Sequence, residues 1–515
     1  MDRRQVVLGI DIGTSGTKVV AVHLDGSIAA VATASYEMVM PSPGYAEQNP
    51  ADWWKATVVA IQTILSRTED LFVVGIGLSG QMHGLVALDN EGAVIRPAII
   101  WCDLRSEAEA AELEHLLGRE TIIQLAENPA LPNFTVTKIL WMKNHEPELY
   151  RRIAKVLLPK DYIRFCLTGL FAMDVSDASG TLLLDVANRT WSKDMCRAAD
   201  VPMEWLPPLY ESNEVVGYLS KTSADVLGLS EGIPVVAGAG DQAAGAIGLG
   251  IVEPGTISSV FGTSGVLLAV TDKSLRDPGG RLHTFCHAQR DRWIVMGVTQ
   301  SAGGSLQWFR NQVAQRERLV AASKDSDLYA WLMEEAQKVV PGAEGLLFLP
   351  YLMGERSPHL DPQARGAWIG LQLRHSVGHL VRAILEGVSF SLRDCWEVMR
   401  EIGVESSGWK ASGGGANSPL WMKVFASVLG EPVQILQASH GPALGAAILA
   451  AQGIGVLEES PLSIQGWLGT GSVISPQTDW KEFYTKLYPL FREGYQATKH
   501  LMHELNNVAG GVKYE

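Results

Sequence analysis

Two aspartates in this chain stand where a carboxylate could do chemical work. Asp11 lies in the run VVLGIDIGTSGTKVVAV, three residues before Thr14, and Asp241 closes the run IPVVAGAGD ahead of the small-residue stretch QAAGAIGLG. The tetrapeptide GTSG at residues 13–16 returns at residues 262–265, inside TISSVFGTSGVLLAV. A Gly/Thr/Ser turn between two β-rich runs reads as a hairpin whose N–H groups and hydroxyls form a nest for anionic oxygens. Two nests about half the chain apart point to two related domains facing one polyphosphate across a cleft. A carboxylate beside such a nest is where Mg²⁺ would bridge protein and nucleotide, usually through water. Thr14, Ser15, Thr17 and Lys18 cluster behind Asp11, although the P-loop spacing GxxxxGK[ST] is not met.

Asp241 falls at a strand-to-helix turn, which presents a side chain into a crevice at the sheet edge. Gly238, Gly240 and Ala243 also match GxGxxA, but a carboxylate in that turn would repel a pyrophosphate at the helix N-terminus. A catalytic carboxylate fits better than a dinucleotide site; the plainer alternative is a helix N-cap. SGQMHG (residues 79–84) follows a buried strand and offers Gln81, Met82 and His83 to a pocket. WCDLR (residues 101–105) combines an aromatic face, a carboxylate and a guanidinium, a mixture suited to a polyol. In SGGGANS (residues 412–418), three glycines between a strand and a helix would let a base or phosphate approach the backbone. Asn417 would then cap the helix or bond the nucleotide.

The elements that must hold these residues alternate as in α/β proteins with a mixed sheet. After the first hairpin, Asp25-Gly26 signals a type I′ turn into a strand at 28–34. A Trp-containing helix follows, with Asn49 as N-cap and Pro50 at its start. FVVGIGLSG is a buried strand, and residues 104–117 and 135–145 read as helices. The second half repeats this logic: two strands, a helix from Gly303, a long amphipathic helix over 375–402, then strand, glycine turn and helix. Strand PVQIL, helix GPALGAAILAAQ and a helical segment over 480–505 complete it.

At 515 residues the chain is too long for one ordinary core, so two domains are expected, 1–252 and 253–515. Hydrophobic residues make up 47% and charged residues 19%, a globular rather than disordered balance. A net charge of −14 argues against nucleic acid as a partner. The five cysteines are widely spaced with no CxxC pair, which argues against structural zinc or a disulfide framework and for a reducing compartment. The opening apolar stretch meets Asp11 too soon for a signal peptide, and no segment reads as membrane-spanning. A cytoplasmic protein is expected, and the C-terminal helical segment leaves a homodimer open.

Together these motifs resemble the FGGY family of carbohydrate kinases, of the ribonuclease-H-like, actin-like ATPase superfamily. The resemblance runs from GIDIGTSGTK to GPALGAA, with NFTVTKILWMKNHEP and residues 366–387 similar to the two family signatures. It implies an α/β fold of two ribonuclease-H-like domains flanking a central cleft, with ATP and Mg²⁺ as cofactors. By resemblance, Asp11 would hold Mg²⁺, while Thr14, Ser15, Lys18, Thr263 and Ser264 would bind ATP phosphates. Gly414, Gly415 and Asn417 would line the adenosine site. Met82, His83, Trp101, Asp103, Phe134 and Gln242 would contact the sugar, and Asp241 would be the base for its hydroxyl. AEQNPADWW, GQMHG, IRPAIIW, VLLPKDYIR and FLPYLMGERSPH resemble the members that phosphorylate D-xylulose to D-xylulose 5-phosphate, and domain closure would exclude water. Two departures bear on the substrate: GDQ at 240–242 where those members commonly read GDN, and WCDLR where they read WNDGR. Ribulose, gluconate or glycerol are the alternatives within the family. A non-enzymatic actin-like ATP switch would share the nests but leave QMHG and WCDLR unexplained.

Overall fold

The computed structural model describes residues 5–68, 70–323, 326–436, 440–469 and 471–510. The chain forms two compact units, Met1–Pro254 with Val270–Ile294 and Ala438–Gly469, and Gly255–Ala269 with Val295–Gln437 and Thr470–Glu515. Sequence from the second half of the chain thus completes the first unit.

The first unit is built on a mixed sheet. Its strands run in the order Val215–Tyr218, Pro234–Val236, Phe72–Gly80, Gln5–Ile12, Gly16–His23, Ile28–Ser35, and Ala239–Gly240 also pairs with Phe72–Gly80. The first hairpin is antiparallel, and Gln5–Ile12 runs parallel to Phe72–Gly80. Side chains alternate across a strand. Val6, Leu8, Ile10 and Ile12 therefore share a face and form one buried cluster with Trp53, Ala60, Ile61 and Ile64 of the helix Pro50–Arg67. The opposite face is notched by Gly9 and Gly77, whose Cβ positions would lie 1.9 Å from Ala443 O and Ala446 O. Only glycine lets the helix Gly441–Gly453 lie that close to the sheet.

The second unit repeats the scheme. Its sheet runs Trp293–Thr299, Gly265–Thr271, Thr256–Phe261, Gly408–Ser412, Val433–Ile435, Ser472–Ile474. Thr256–Phe261 is antiparallel to its hairpin partner and parallel to Gly408–Ser412, as Gln5–Ile12 is to its own neighbours. The helix Thr478–Gly510 places Tyr484, Tyr488, Phe491, Tyr495 and Met502 in a cluster with Leu349, Tyr351, Phe390 and Val424. Among the described residues no helix is long and apolar enough to cross a membrane.

Most expected elements are present, with local corrections. Asn49 caps its helix, its side chain accepting from Ala51 N–H at 3.1 Å. Residues 135–145 are helical as Thr135–His145, and 375–402 as Val377–Glu401. The turn at Asp25-Gly26 is not type I′. Gly26 has φ 88° while Asp25 is not among the residues of positive φ. Gly26 N–H bonds to His23 O at 2.9 Å, and the pairing register shifts between Ala21 and Val22. This is the longer hairpin loop, in which one left-handed glycine forms a bulge.

Candidate active site

Asp11 and Asp241 come together at the carboxyl ends of the parallel strands of the first unit. Asp11 pairs in register with Lys18 on one side and Ser79 on the other. Ala239–Gly240 pairs with Ser79 and Gly80, so the chain delivers Asp241 beside the same ends. Gly238 permits this route: its φ is 79°, and a Cβ would stand 2.3 Å from Leu78 O. Gly240, not Asp241, is the N-cap; Asp241 is the first residue of the helix Asp241–Gly248. Its carboxyl is therefore not spent on capping, and Gln242 Nε2 lies 3.4 Å from its Oδ1.

Electrostatics make this pair unusual. Burial pushes the Asp241 carboxyl up to about 7, with the charge of Asp11 adding to the shift. Asp11 is pushed up to about 6 by burial, against the lowering effects of Ser79 and Lys18. Asp11 Oδ1 is buried with no hydrogen-bond partner. Two mutually repelling carboxylates, one with an orphaned oxygen, form a hard-oxygen donor set that fits Mg²⁺.

Asp241 is anchored from behind by a buried charge cluster. Lys160 Nζ lies 2.6 Å from Asp161, 2.6 Å from Asp174 and 3.1 Å from Asp177, and Arg164 lies 2.8 Å from Asp161. Burial holds Asp177 well above the usual carboxylate range, against the lowering effect of Lys160. Ser176 Oγ donates to Asp174 at 2.5 Å and accepts from Gly240 N–H at 3.2 Å. The three aspartates are spaced closely enough for a metal ion, but the ammonium of Lys160 already sits among them.

The residues expected to meet a sugar also lie in this unit. Met82 is buried, and a Cβ on Gly240 would stand 2.8 Å from its Cγ. His83 has φ 66°, an uncommon conformation for a residue with a side chain. Its carbonyl is fixed by Thr135 Oγ1 and Lys138 Nζ, both at 3.1 Å, and its Nδ1 faces Gly180 O at 2.8 Å. A proton on Nδ1 satisfies that contact. The ring meets Phe134 edge-on at 4.9 Å, with Phe285 at 6.0 Å. Phe134 is fully buried behind His83. Trp101 is 43% exposed, and its indole N–H donates to Thr14 Oγ1 at 2.9 Å. Asp103 is fully buried, gripped through both oxygens by Arg105 and accepting from Ala46 N–H. Arg105 also pairs with Glu47 at 2.7 Å. His283 and Phe285 were not anticipated, because only long-range packing brings them to Phe134.

The second unit holds a separate pocket of about 710 Å³. Thr263, Gly414, Gly415 and Asn417 line it, together with Tyr329, Met333 and Gln337. Ser264 lies in the same turn as Thr263 but is not part of that lining. The three glycines have different reasons. Gly413 has φ 89° with Phe261 O 2.8 Å from a Cβ, Gly415 abuts Phe261 and Trp421, and Gly414 faces open space. Ser418, not Asn417, caps the helix Pro419–Leu429, accepting from Trp421 N–H at 3.3 Å. Asn417 is thereby left to the pocket. Tyr329 and Met333 lie on the helix Leu328–Gln337.

Two α/β units with repeated sheets, each presenting a glycine turn, define an actin-like, ribonuclease-H-like ATPase fold. Residues 6–248 match the N-terminal domain of the FGGY family of carbohydrate kinases, and residues 257–454 match its C-terminal domain. A xylulose kinase of Bacillus subtilis is 38% identical over 497 residues, covering 96% of this chain and 97% of that one. A xylulose kinase of Escherichia coli is 41% identical over 444 residues, covering 86% and 89%. The crystal structure of a xylulose kinase from Rhodospirillum rubrum superimposes with a TM-score of 0.90 at 33% identity, covering 97% of this chain and 100% of that one. The chain belongs to the FGGY family of carbohydrate kinases. It is a carbohydrate kinase with ATP as co-substrate.

Proposed function

We propose that this kinase transfers the γ-phosphoryl group of ATP to the primary hydroxyl of D-xylulose, giving D-xylulose 5-phosphate and ADP in the cytoplasm. The observation that carries this reading is the pairing of Asp241, poised near neutral pH, with the Met82–His83 loop in one unit. Relatives named xylulose kinase, aligned over nearly the whole chain, support the choice of sugar.

In this reading Met82 and Trp101 supply apolar surface for the C–H faces of the sugar, Phe134 backs the His83 ring, and His83 hydrogen-bonds one of the sugar hydroxyls. Asp103 shapes the pocket through Arg105, and Gln242 orients Asp241. Asp241 takes the proton of the attacking hydroxyl as the new O–P bond forms and the β–γ bridging bond breaks, the electron pair leaving on ADP. Phosphoryl transfer has a loose transition state, so positioning and charge neutralisation do most of the work. Thr14, Ser15 and Lys18 bind phosphate oxygens, the role that the family resemblance also gives to Thr263 and Ser264. The pocket lined by Gly414, Gly415 and Asn417 takes the adenosine. Mg²⁺ held at Asp11 supplies further neutralisation of the phosphates when bound.

An ADP-release assay across pentuloses, hexonates and glycerol tests the substrate, and the highest kcat/KM is expected with D-xylulose. His83→Ala is expected to lower kcat/KM for D-xylulose by about 10²-fold, the loss of a buried hydrogen bond and its packing, with the KM for ATP unchanged. Preference for a hexonate or glycerol would overturn the substrate, and equal loss toward both ligands would make His83 structural. At the other end of the reaction, Gly414→Leu has room to fold, because nothing lies within 4 Å of a Cβ there. It is expected to raise the KM for ATP about tenfold by filling the pocket, leaving the KM for D-xylulose unchanged. An unaltered KM for ATP would move the adenosine site elsewhere.

A further inference from the structure

The two GTSG turns have their carbonyls held at the same two places by different means. In the second turn, Gly303 N–H donates to Gly262 O at 2.7 Å, while Ala302 and Gly304 N–H donate to Thr263 O at 2.9 and 3.0 Å. In the first turn the donors are side chains. Tyr36 Oη donates to Gly13 O at 2.5 Å, Gln81 Nε2 to Gly13 O at 3.4 Å, and Gln48 Nε2 to Thr14 O at 2.7 Å. Across a trans peptide the C=O and the following N–H point in opposite directions. Pinning the Gly13 and Thr14 carbonyls therefore turns the Thr14 and Ser15 N–H groups away from those donors, as a phosphate nest requires. The second turn achieves the same at Thr263 and Ser264 with backbone alone.

The side-chain clamp has a defined polarity. Trp53 Nε1–H can only donate, and it donates to Gln48 Oε1 at 3.1 Å. That sets Gln48 Nε2 toward Thr14 O. Gln48 Oε1 then accepts from Gln81 Nε2 at 2.8 Å as well. Gln48 and Gln81 are each only 1% exposed, and Gln81 Oε1 is left buried with no hydrogen-bond partner. Gln81 N–H also donates to Ile12 O at 2.9 Å, and the next two residues are Met82 and His83. One relay thus joins the first turn to the loop that carries the sugar-binding side chains.

We propose that Gln48 and Gln81 are positioning residues of phosphoryl transfer: they set the amides of the first phosphate turn and tie that turn to the sugar loop. This rests on the reading of residues 13–16 as a phosphate site. Gln48→Leu keeps the volume and removes the donor, leaving the Thr14 carbonyl unpaired and its peptide free to rotate. The expected result is a KM for ATP raised about tenfold and a lowered kcat, with the dissociation constant for D-xylulose unchanged. Gln48→Glu, of the same shape, sets a carboxylate against the Thr14 carbonyl and is expected to show the same split at pH 8; it decides the matter if the leucine variant does not fold. Lys18→Met serves as the control for the phosphate site. Loss of ATP affinity in Lys18→Met alone would overturn the positioning role and spare the phosphate site. No loss in any of the three would overturn both. Parallel loss of ATP and D-xylulose binding in both Gln48 variants would reduce the relay to a structural one.

Discussion

Asp241→Asn is expected to lower kcat by about 10³–10⁴-fold while ATP and D-xylulose still bind, because the amide keeps the shape of the carboxylate and cannot accept the proton. With the Asp241 carboxyl near 7, wild-type kcat should fall about tenfold per pH unit as the base is protonated below that value. The residual activity of the variant should lack this acid limb. The same shift sets the sign of the stability change. A carboxyl whose folded pKa lies above its unfolded value of 3.8 binds its proton more tightly in the folded state, so the stability it contributes is present below 3.8 and is lost as pH rises through about 7. At pH 8 the wild type carries a repelled anion beside Asp11. The variant is therefore expected to be about 1–2 kcal/mol more stable there, allowing for partial solvent exposure, and no more stable at pH 4. Calorimetry at the two pH values, with single-turnover rates, reads both effects. Near-normal turnover would remove Asp241 as the base.

What the sequence disclosed follows from how local each signal is. Both GTSG hairpins, the Asn49-Pro50 helix start and the strand-to-helix turn at Asp241 are each encoded within about a dozen residues, by period and by Gly or Pro chemistry. The type I′ turn at Asp25-Gly26 was a local misreading, since the dipeptide also serves the bulged loop that is found. The clamp on the first turn was hidden for another reason. Gln48 and Tyr36 look like ordinary polar residues, and Gln81 like a pocket residue, until the sheet brings them to Gly13 and Thr14, from as far as 68 residues away. Phe285 and His283 reach Phe134 from across the chain with no periodic pattern to announce them. Lys160, Asp174 and Asp177 had no legible role because a charge becomes informative only once its burial is known. The GPALGAA motif was legible as a helix but not as part of the first unit, where Gly445 matters most.

Gly445→Ala is expected to impair both folding and turnover although it lies away from every reacting atom. A Cβ at Gly445 would stand 1.8 Å from Ala244 O and 3.1 Å from Gly248 N, so the helices Gly441–Gly453 and Asp241–Gly248 touch backbone to backbone. A methyl group needs nearly twice that separation, and the helix cannot retreat on its far side, because Ala443 O and Ala446 O already press into the notches at Gly9 and Gly77. The displacement therefore falls on Asp241–Gly248, which begins with the base itself. Overpacking of this kind costs about 1–3 kcal/mol. A shift of about 1 Å in a positioned catalytic group lowers kcat by about 10²-fold. The KM for ATP should not move, since the adenosine pocket is built within the second unit. Gly466→Ala is the matched control: it lies in the first unit, in the helix Pro461–Trp467, with nothing within 4 Å of its Cβ. It should leave kcat unchanged and stabilise slightly, as Ala does over Gly in a helix. If Gly445→Ala melted early yet kept a wild-type kcat in the folded fraction, the packing of these helices would serve stability alone, and the position of Asp241 would be set by the Lys160–Asp174–Ser176 network behind Gly240.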